Sequence, residues 1–497
     1  MAATLPASEP LPRDVERRLL KALRAALPQG ALLTSEEERR PYECDGLSAY
    51  RRLPLLVAMP ETTEQVCAVL KICHELGVPV VARGAGTGLS GGALPLENGV
   101  LLSLVKLNRI LAVDPANRVA RVQPGVRNLA VSEAAAPLGL YYAPDPSSQI
   151  ACSIGGNVAE NSGGVHCLKY GLTVHNLTGL RFVTVEGEEV GIGGAGLDGP
   201  GYDLLALLTG SEGMLGVIVE ATVKLLPRPE HAQVVLAAFA DVHQAGEAVA
   251  AVIGSGFVPA GLEMMDQLAI RAAEDYAHAG YPVDAGAILL CELDGTQVEV
   301  AHGIERVRAI MQRCGAADVR VSRDEAERRK FWAGRKGAFP AVGRLAPDYY
   351  CMDGTIPRKH LGRVLSEISR LSADYGLPVA NVFHAGDGNL HPLILYDANK
   401  PGDLERTEAL GTEILKLCIA VGGTITGEHG VGVEKIQQMC LQFRPEELAQ
   451  YHAVKAAFDP AGLLNPGKAV PTLARCAEFG AMHVHGGRTK FPELERF

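Results

Sequence analysis

The sequence lacks several features that mark whole classes of protein. Its 497 residues include eleven cysteines but no C-x-x-C motif, so neither a thiolate zinc site nor an iron–sulfur cluster of standard spacing is encoded. No apolar run reaches the roughly eighteen residues that a membrane-spanning helix needs. The net charge is −10 and Lys and Arg do not cluster, which makes nucleic acid a poor partner. The sequence therefore predicts a large globular protein whose function lies outside these classes.

The N-terminal residues, MAATLPASEPLPRDVERR, also lack the basic and then apolar segments of a secretory signal. We therefore expect a cytoplasmic protein, with at most peripheral association with the inner face of the cytoplasmic membrane through partners. The length predicts more than one domain, and 47% hydrophobic content is ample for large cores. Most cysteines, such as Cys67, Cys73 and Cys418, are expected to be buried small hydrophobic side chains.

Three glycine-rich segments follow one another in the first half of the chain. They are PVVARGAGTGLSGG at 79–92, PDPSSQIACSIGGNVAENSGG at 144–164 and TGSEGMLGVI at 209–218. Glycine lets backbone N–H groups converge on a diphosphate, although any one of these segments could be an ordinary flexible loop. Three of them in this order indicate one extended ligand that lies against the backbone.

The pattern of apolar residues separates four parts of the sequence. Residues 1–45 predict one amphipathic helix, and residues 46–228 alternate strands and helices around the glycine-rich loops. The Pro-Arg-Pro stretch at 227–229 marks a boundary. Residues 229–470 predict an antiparallel sheet covered by helices, as in ferredoxin-like folds. Residues 471–497 form a polar tail with Cys476, His483 and His485.

Two polar motifs in the second half carry side chains suited to chemistry. HAGDGNLHP at 384–392 lies between two predicted strands, so a hairpin would present His384 and His391 together. TGEHGVG at 426–432 places Glu428 beside His429. Two imidazoles and a carboxylate suit zinc or a similar divalent ion with a position left for substrate. The same histidines could instead be hydrogen-bonded turn residues.

Together, the loops, both polar motifs and the segment FDPAGLLNPGK at 458–468 resemble the FAD-linked 2-hydroxy-acid dehydrogenases of the vanillyl-alcohol oxidase and PCMH superfamily. The resemblance implies an α+β fold, in which a PCMH-type FAD-binding domain precedes a ferredoxin-like antiparallel substrate domain. It also implies FAD held without a covalent bond, because no His or Cys lies between 79 and 92. The residues expected at FAD are Arg83, Gly84, Ala85, Gly86, Thr87, Gly88, Leu89, Ser90, Pro144, Asp145, Gly155, Gly156, Asn157, Ser162, Gly163, Gly164, Glu212, Gly213, Gly216, Ile218 and Asn465.

The resemblance also assigns roles to the polar motifs. It implies that His384, His391 and Glu428 bind the divalent metal and that His429 is the catalytic base. Arg335 is the candidate for holding the substrate carboxylate, since its planar fork can bind both oxygens. The alternative is that Arg335 is a solvated helix charge among its basic neighbours.

Departures from relatives that act on dicarboxylates concern the substrate. Cys351 stands where they carry a lysine, and Phe339 stands where they can carry threonine. A small monocarboxylate such as glycolate therefore fits better than 2-hydroxyglutarate, with D-lactate close behind, because one methyl group changes discrimination by only about 1–3 kcal/mol.

Three further stretches, RKGAFPAVGRLAPDYYCMDGTIP, CAEFGAMHVHGG and FPELERF, are similar to flavoprotein subunits of this family. These subunits work beside a second flavoprotein subunit and an iron–sulfur subunit. The alternatives are a D-lactate dehydrogenase that acts alone, an oxygen-using oxidase and a non-catalytic flavin-binding scaffold. The intact set of Arg335, His384, His391, Glu428 and His429 argues against the scaffold.

Overall fold

The computed structural model describes residues 9–196 and 199–471, so the predicted polar tail with Cys476, His483 and His485 lies outside the described residues. The first part of the chain builds two sheets. One has four strands, three of them parallel, and the helix Thr63–Leu76 connects two of these. Thr62 caps the start of that helix and Gly77, with φ of 64°, ends it. In order, the strands are Leu32–Leu33, Leu56–Ala58, Val100–Ser103 and Val80–Arg83.

The second sheet has five antiparallel strands, which carry the β-branched residues that favour extended backbone. Its order is Ile110–Asp114, Val119–Val122, Val217–Lys224, Leu177–Val183 and Glu189–Gly193. The helices of this part are Arg13–Ala26, Glu36–Arg39, Thr63–Leu76, Asn128–Ala135, Ile154–Glu160, Cys167–Tyr170 and Leu204–Leu208. The predicted N-terminal amphipathic helix is the first of these, and it buries Leu19 and Leu23.

The second half of the chain forms one seven-stranded sheet, antiparallel at every pairing. This confirms the predicted antiparallel sheet covered by helices. The strand order is Asp318–Val321, His231–Phe239, Ala287–Gly295, Gly261–Asp266, Val379–Phe383, Pro392–Tyr396 and Asp348–Cys351. The helices are Val242–Gly254, Gln267–Ala277, Gln297–Arg313, Glu325–Lys336, Ala338–Val342, Leu361–Tyr375, Asp403–Ala420, Met439–Gln442 and Pro445–Phe458. None of the helices in the described ranges combines the length and apolar character needed to cross a bilayer.

Two short strand pairs and a return of the chain complete the architecture. Leu140–Tyr141 pairs with Leu226–Pro227, and Gly354–Thr355 pairs with Asn389–Leu390. After the last helix the chain returns to the first sheet, where the N–H of Val80 donates to Leu463 O at 2.8 Å. Of the cysteines singled out above, Cys73 and Cys418 are buried and Cys67 is half-buried.

An ionic network joins the two halves of the molecule. His166 Nδ1 lies 2.9 Å from Asp145 Oδ2, and its Nε2 lies 3.0 Å from Glu292 Oε1 in the seven-stranded sheet. Arg328 and Trp332 donate to the other oxygen of Glu292. Burial alone would lower the pKa of His166, but the two carboxylates outweigh it and raise the pKa to about 10.

Replacing His166 with glutamine should therefore destabilise the protein in a pH-dependent way. A histidine with a raised folded-state pKa contributes stability that is fully present below its unfolded value near 6.5. That contribution, up to about 5 kcal/mol, is lost as the pH rises towards 10. Urea unfolding at several pH values between 6.5 and 10 measures it. A difference between wild type and variant that does not shrink with rising pH would contradict the imidazolium bridge.

Candidate active site

A cavity of about 350 Å³ lies where the glycine-rich loops face the second half of the chain. All three loops contribute to its lining, through predicted FAD contacts at 83–89 and 155–157 together with Ser162, Glu212, Gly213, Gly216 and Ile218. From the other half come Lys336, Phe339, Pro340, His391, Glu428 and His429. The three loops thus line one shared cavity, as their order in the sequence suggests.

Close packing explains the glycines at two points of this lining. A Cβ added at Gly84 would lie 2.2 Å from Ser153 Oγ, and one added at Gly155 would lie 2.5 Å from Pro124 Cβ. A side chain at Gly84 would require the Ser153 hydroxyl to leave its bond with the N–H of Gly156, and one at Gly155 would crowd the backbone of Pro124. The guanidinium group of Arg83 is also held in position, because its Nη1 donates to Cys44 O at 2.7 Å.

The remaining residues predicted to contact FAD do not line this cavity. Asp145 is turned away into the ionic network with His166. Asn465 is buried and ties two loops together, since its Nδ2 donates to Gly92 O and Glu212 O. Ser90 O accepts from the N–H groups of Val433 and Glu434. The other three are Pro144, Gly163 and Gly164. Gly163 packs on the Glu428 carboxylate, and Gly164 packs on the backbone of Asp145.

Sequence reasoning missed several residues of the lining. Ser153 and Pro124 meet the first two loops, and Glu160 and Lys336 add charged groups. Apart from Asp145, Glu160 is the only charged residue in the loop at 144–164. This isolated charge is the sequence feature from which its place in the lining could have been predicted. Lys336 directly follows Arg335 in the sequence. Only the fold shows that Lys336 lines the cavity and Arg335 does not.

The predicted metal ligands come together as one cluster. The hairpin of Val379–Phe383 and Pro392–Tyr396 places the rings of His384 and His391 5.2 Å apart. Glu428 Oε1 lies 3.3 Å from His384 Nε2 and 3.2 Å from His391 Nε2. Each residue offers one ligand atom, and these atoms lie within 4.8 Å of one another. The alternative of simple hydrogen-bonded turn histidines is less consistent with such convergence.

Orphaned polar atoms support a cation at this cluster. Among the described residues, Nδ1 of His391 and Oε2 of Glu428 are buried and have no hydrogen-bond partner. Glu263 accepts from His384 Nδ1 at 2.8 Å, which leaves Nε2 to face the cluster. Burial alone would raise the pKa of Glu428, but the two histidines outweigh it and hold that pKa well below its usual range. The donor set therefore fits zinc or a similar ion.

Asp353 anchors the loop that carries Glu428 and His429. It accepts hydrogen bonds from the backbone N–H groups of Gly427, Glu428 and His429, and from Lys435 Nζ at 3.2 Å. A second cluster that could hold a metal consists of Asp353, His391 and His429. Because the carboxylate of Asp353 is already committed to the loop, the set with His384 and Glu428 is the better candidate.

His429 lies against this cluster with its ring free to act as a base. The ring stacks on His391 at 4.8 Å with an interplanar angle of 7°, and its Nε2 lies 3.9 Å from Glu428 Oε1. Burial lowers the pKa of His429 to about 4. The imidazole is therefore neutral near pH 7, as a general base must be before it accepts a proton.

Arg335, the predicted carboxylate-binding residue, is buried and paired with a carboxylate of the protein itself. Its side chain is 1% exposed, and its Nη2 lies 2.6 Å from Glu263 Oε2. The interpretation as a solvated helix charge is therefore wrong. The cation on this side of the cavity lining is its neighbour Lys336, whose Nζ lies 3.7 Å from Asp145. Arg335 itself is not one of the residues that line the cavity, although its Nε is buried without a hydrogen-bond partner in the described ranges.

Comparisons with known proteins agree with this architecture. Residues 54–193 match the family described as FAD binding domain, and residues 228–469 match FAD linked oxidases, C-terminal domain. The chain is 66% identical to glycolate oxidase subunit GlcD of Escherichia coli (strain K12), over 97% of each chain. It is 40% identical to glycolate oxidase subunit GlcD of Bacillus subtilis (strain 168), over 89% of this chain and 94% of that one.

The solved structure of 4-ethylphenol oxidase from Gulosibacter chungangensis superposes with a TM-score of 0.79 at 18% identity. The superposition covers 94% of this chain and all of the other. At that identity the likeness establishes the fold alone, and it confirms the predicted arrangement of a PCMH-type FAD-binding domain with a second α+β domain.

Proposed function

The chain belongs to the family of FAD-linked oxidases, and we propose that it oxidises glycolate to glyoxylate as the flavin-carrying subunit of a glycolate oxidase complex. The observation that carries this proposal is the meeting of two sets of residues in one cavity. The three glycine-rich loops, of which the first two lie within the matched FAD binding domain, face the cluster of His391, Glu428 and His429. A non-catalytic scaffold would not need that cluster.

The cofactors supply two kinds of chemistry when bound. FAD accepts a hydride from an alcohol carbon, and a divalent ion acts as a Lewis acid towards hydroxyl and carboxylate oxygens. His384, His391 and Glu428 would hold the ion, with Glu263 fixing the tautomer of His384. Nε2 of His429 faces these ligands and would take the hydroxyl proton, because an alcohol is too weak an acid to ionise unaided near pH 7.

The cavity suits a small monocarboxylate. The ring of Phe339 lines the cavity 6.1 Å from the ring of His391. It fills space that a substrate with a longer carbon chain would need. Lys435 is fully buried and bonded to Asp353, so it is committed to that carboxylate. Arg335 Nε and the Lys336 ammonium group are the donors proposed for the single carboxylate of the substrate.

Anaerobic stopped-flow mixing of the FAD-loaded chain with a panel of 2-hydroxy acids tests the substrate. We expect glycolate and D-lactate to bleach the flavin absorbance and D-2-hydroxyglutarate to leave it unchanged. Reduction by D-2-hydroxyglutarate alone would replace the proposed substrate, and the absence of reduction by any hydroxy acid would favour the scaffold.

FAD should be released when the protein is precipitated with acid. The cavity lining contains one cysteine among the described residues, Cys152, and burial raises the pKa of its thiol. A protonated thiol that also contacts Asn157 is a poor nucleophile towards the flavin ring. The yellow colour is expected in the supernatant. Flavin that stays on the pellet would show a covalent bond.

Turnover with the membrane quinone pool should depend on partners. No cysteine spacing here encodes an iron–sulfur cluster, so we propose that electrons pass to an iron–sulfur subunit beside a second flavoprotein subunit. The isolated protein should still be reduced by glycolate but be reoxidised slowly by quinone until the iron–sulfur subunit is added. Quinone reduction by the isolated protein at the rate of the complex would refute this dependence.

A further inference from the structure

Two glutamates that play no part in the metal cluster face the flavin cavity. Glu160 is the last residue of the helix Ile154–Glu160, and Glu212 lies in the third glycine-rich loop. Glu212 is 6% exposed and has a positive φ of 50°. Glu160 Oε2 is shielded from solvent and has no hydrogen-bond partner within the described ranges. A buried carboxyl oxygen without a donor requires an explanation.

The two carboxyl groups meet at Gly430. A Cβ added there would lie 2.2 Å from Glu160 Oε2 and 3.0 Å from Glu212 Oε1. The two groups differ in their donors, because the N–H groups of Val431 and Gly432 each donate to Glu212 at 2.7 Å. Burial raises the pKa of Glu212 as well, but these two bonds oppose that rise and favour its carboxylate form, and Glu160 Oε2 has no such donors.

The surrounding charges favour a proton on Glu160. Burial, reinforced by the negative charges of Glu212 and Asp45, raises its pKa well above the usual range. Lys435 and Lys468 oppose this shift, but both are committed elsewhere. Lys435 Nζ binds Asp353 and Gly430 O, and Lys468 Nζ donates to Gly92 O at 2.9 Å. Two buried carboxyl groups beside the same glycine disfavour ionisation of both, so one of them is expected to keep a proton.

We propose that Glu160 is the proton donor of the redox site, holding a proton while FAD is oxidised and giving it up when FAD is reduced. Gly430 directly follows His429, so Glu160 lies at the end of the cavity where the substrate reacts. Hydride transfer adds one hydrogen and one negative charge to the cofactor. The O–H bond of Glu160 then breaks, the proton joins the reduced cofactor, and Glu160 becomes a carboxylate.

Reoxidation reverses this step. An electron acceptor, such as the proposed iron–sulfur subunit or ferricyanide, removes two electrons. Of the two protons then released, one returns to Glu160 and the other leaves the site. The inference rests on FAD binding and holds for any 2-hydroxy-acid substrate.

Infrared difference spectroscopy of the FAD-loaded protein tests the proposal without any substrate. Dithionite reduces the cofactor, and the carbonyl band of one protonated carboxylic acid should disappear on reduction in the wild type. In Glu160→Gln that band should be missing. The absorption spectrum should also show neutral reduced flavin in the wild type and anionic reduced flavin in the variant.

Glu434→Gln is the matched control. Glu434 is 1% exposed, burial raises its pKa to about 7, and it lies outside the cavity lining. This variant should keep both the band loss and the neutral reduced flavin. The proposal is overturned if the wild type shows no band loss, if Glu160→Gln keeps it, or if Glu434→Gln abolishes it. Absence of band loss in the wild type overturns the proposal even if Glu160→Gln binds no FAD, and failure to oxidise glycolate would leave this result unaffected.

Discussion

Replacing His391 with alanine is expected to remove the divalent ion from the protein and lower the rate of flavin reduction by glycolate about a thousandfold. Lewis-acid stabilisation of a developing alkoxide is worth several kcal/mol, and each 1.36 kcal/mol corresponds to about a factor of ten in rate. FAD should stay bound, because the glycine-rich loops that line its cavity belong to the other half of the chain. Glu428→Ala and His384→Ala should behave in the same way.

Elemental analysis and flavin absorbance measure the two cofactors independently in each variant. His243→Ala is a matched control, because His243 is exposed, lies outside the cavity lining and is 3.7 Å from the exposed Glu247. This control should keep the metal, FAD and activity of the wild type. An active wild type without any divalent metal would rule out the assignment, as would a His391→Ala variant that keeps its metal.

The parts of this site that could be predicted from sequence are those fixed by local signals. The hairpin that presents His384 and His391 follows from two apolar strands around a Gly-Asp-Gly-Asn turn. Glu428 and His429 are neighbours in the chain, so a single loop positions both. The glycine-rich loops are also local, and their order together with the family resemblance indicated a shared ligand.

The parts that could not be predicted depend on contacts between distant segments. Arg335, on a helix, pairs with Glu263 on a distant strand, and Asp353 accepts hydrogen bonds from the N–H groups of a loop more than seventy residues further on. Neither Glu263 nor Asp353 lies in a sequence motif that would indicate its role. Asp145 and Asn465 lie in glycine-rich or turn-forming stretches, yet one faces His166 and the other fastens loops together. A sequence pattern marks a loop but leaves open which side of it faces the ligand.

Replacing His429 with alanine should leave both cofactors bound and still lower the rate of flavin reduction by glycolate about 10²- to 10⁴-fold, the range for loss of a general base. The ring stacks on His391 and is not one of the proposed metal ligands. The change should appear in kcat more than in KM, because the metal and the cationic side chains would still hold the substrate. Truncation also vacates the space beside His391, so added imidazole should restore part of the rate. Asn in place of His429 fills more of that space and should show less rescue. If His429→Ala reduces its flavin within tenfold of the wild-type rate, or if imidazole rescues neither variant, the proton is taken by another group.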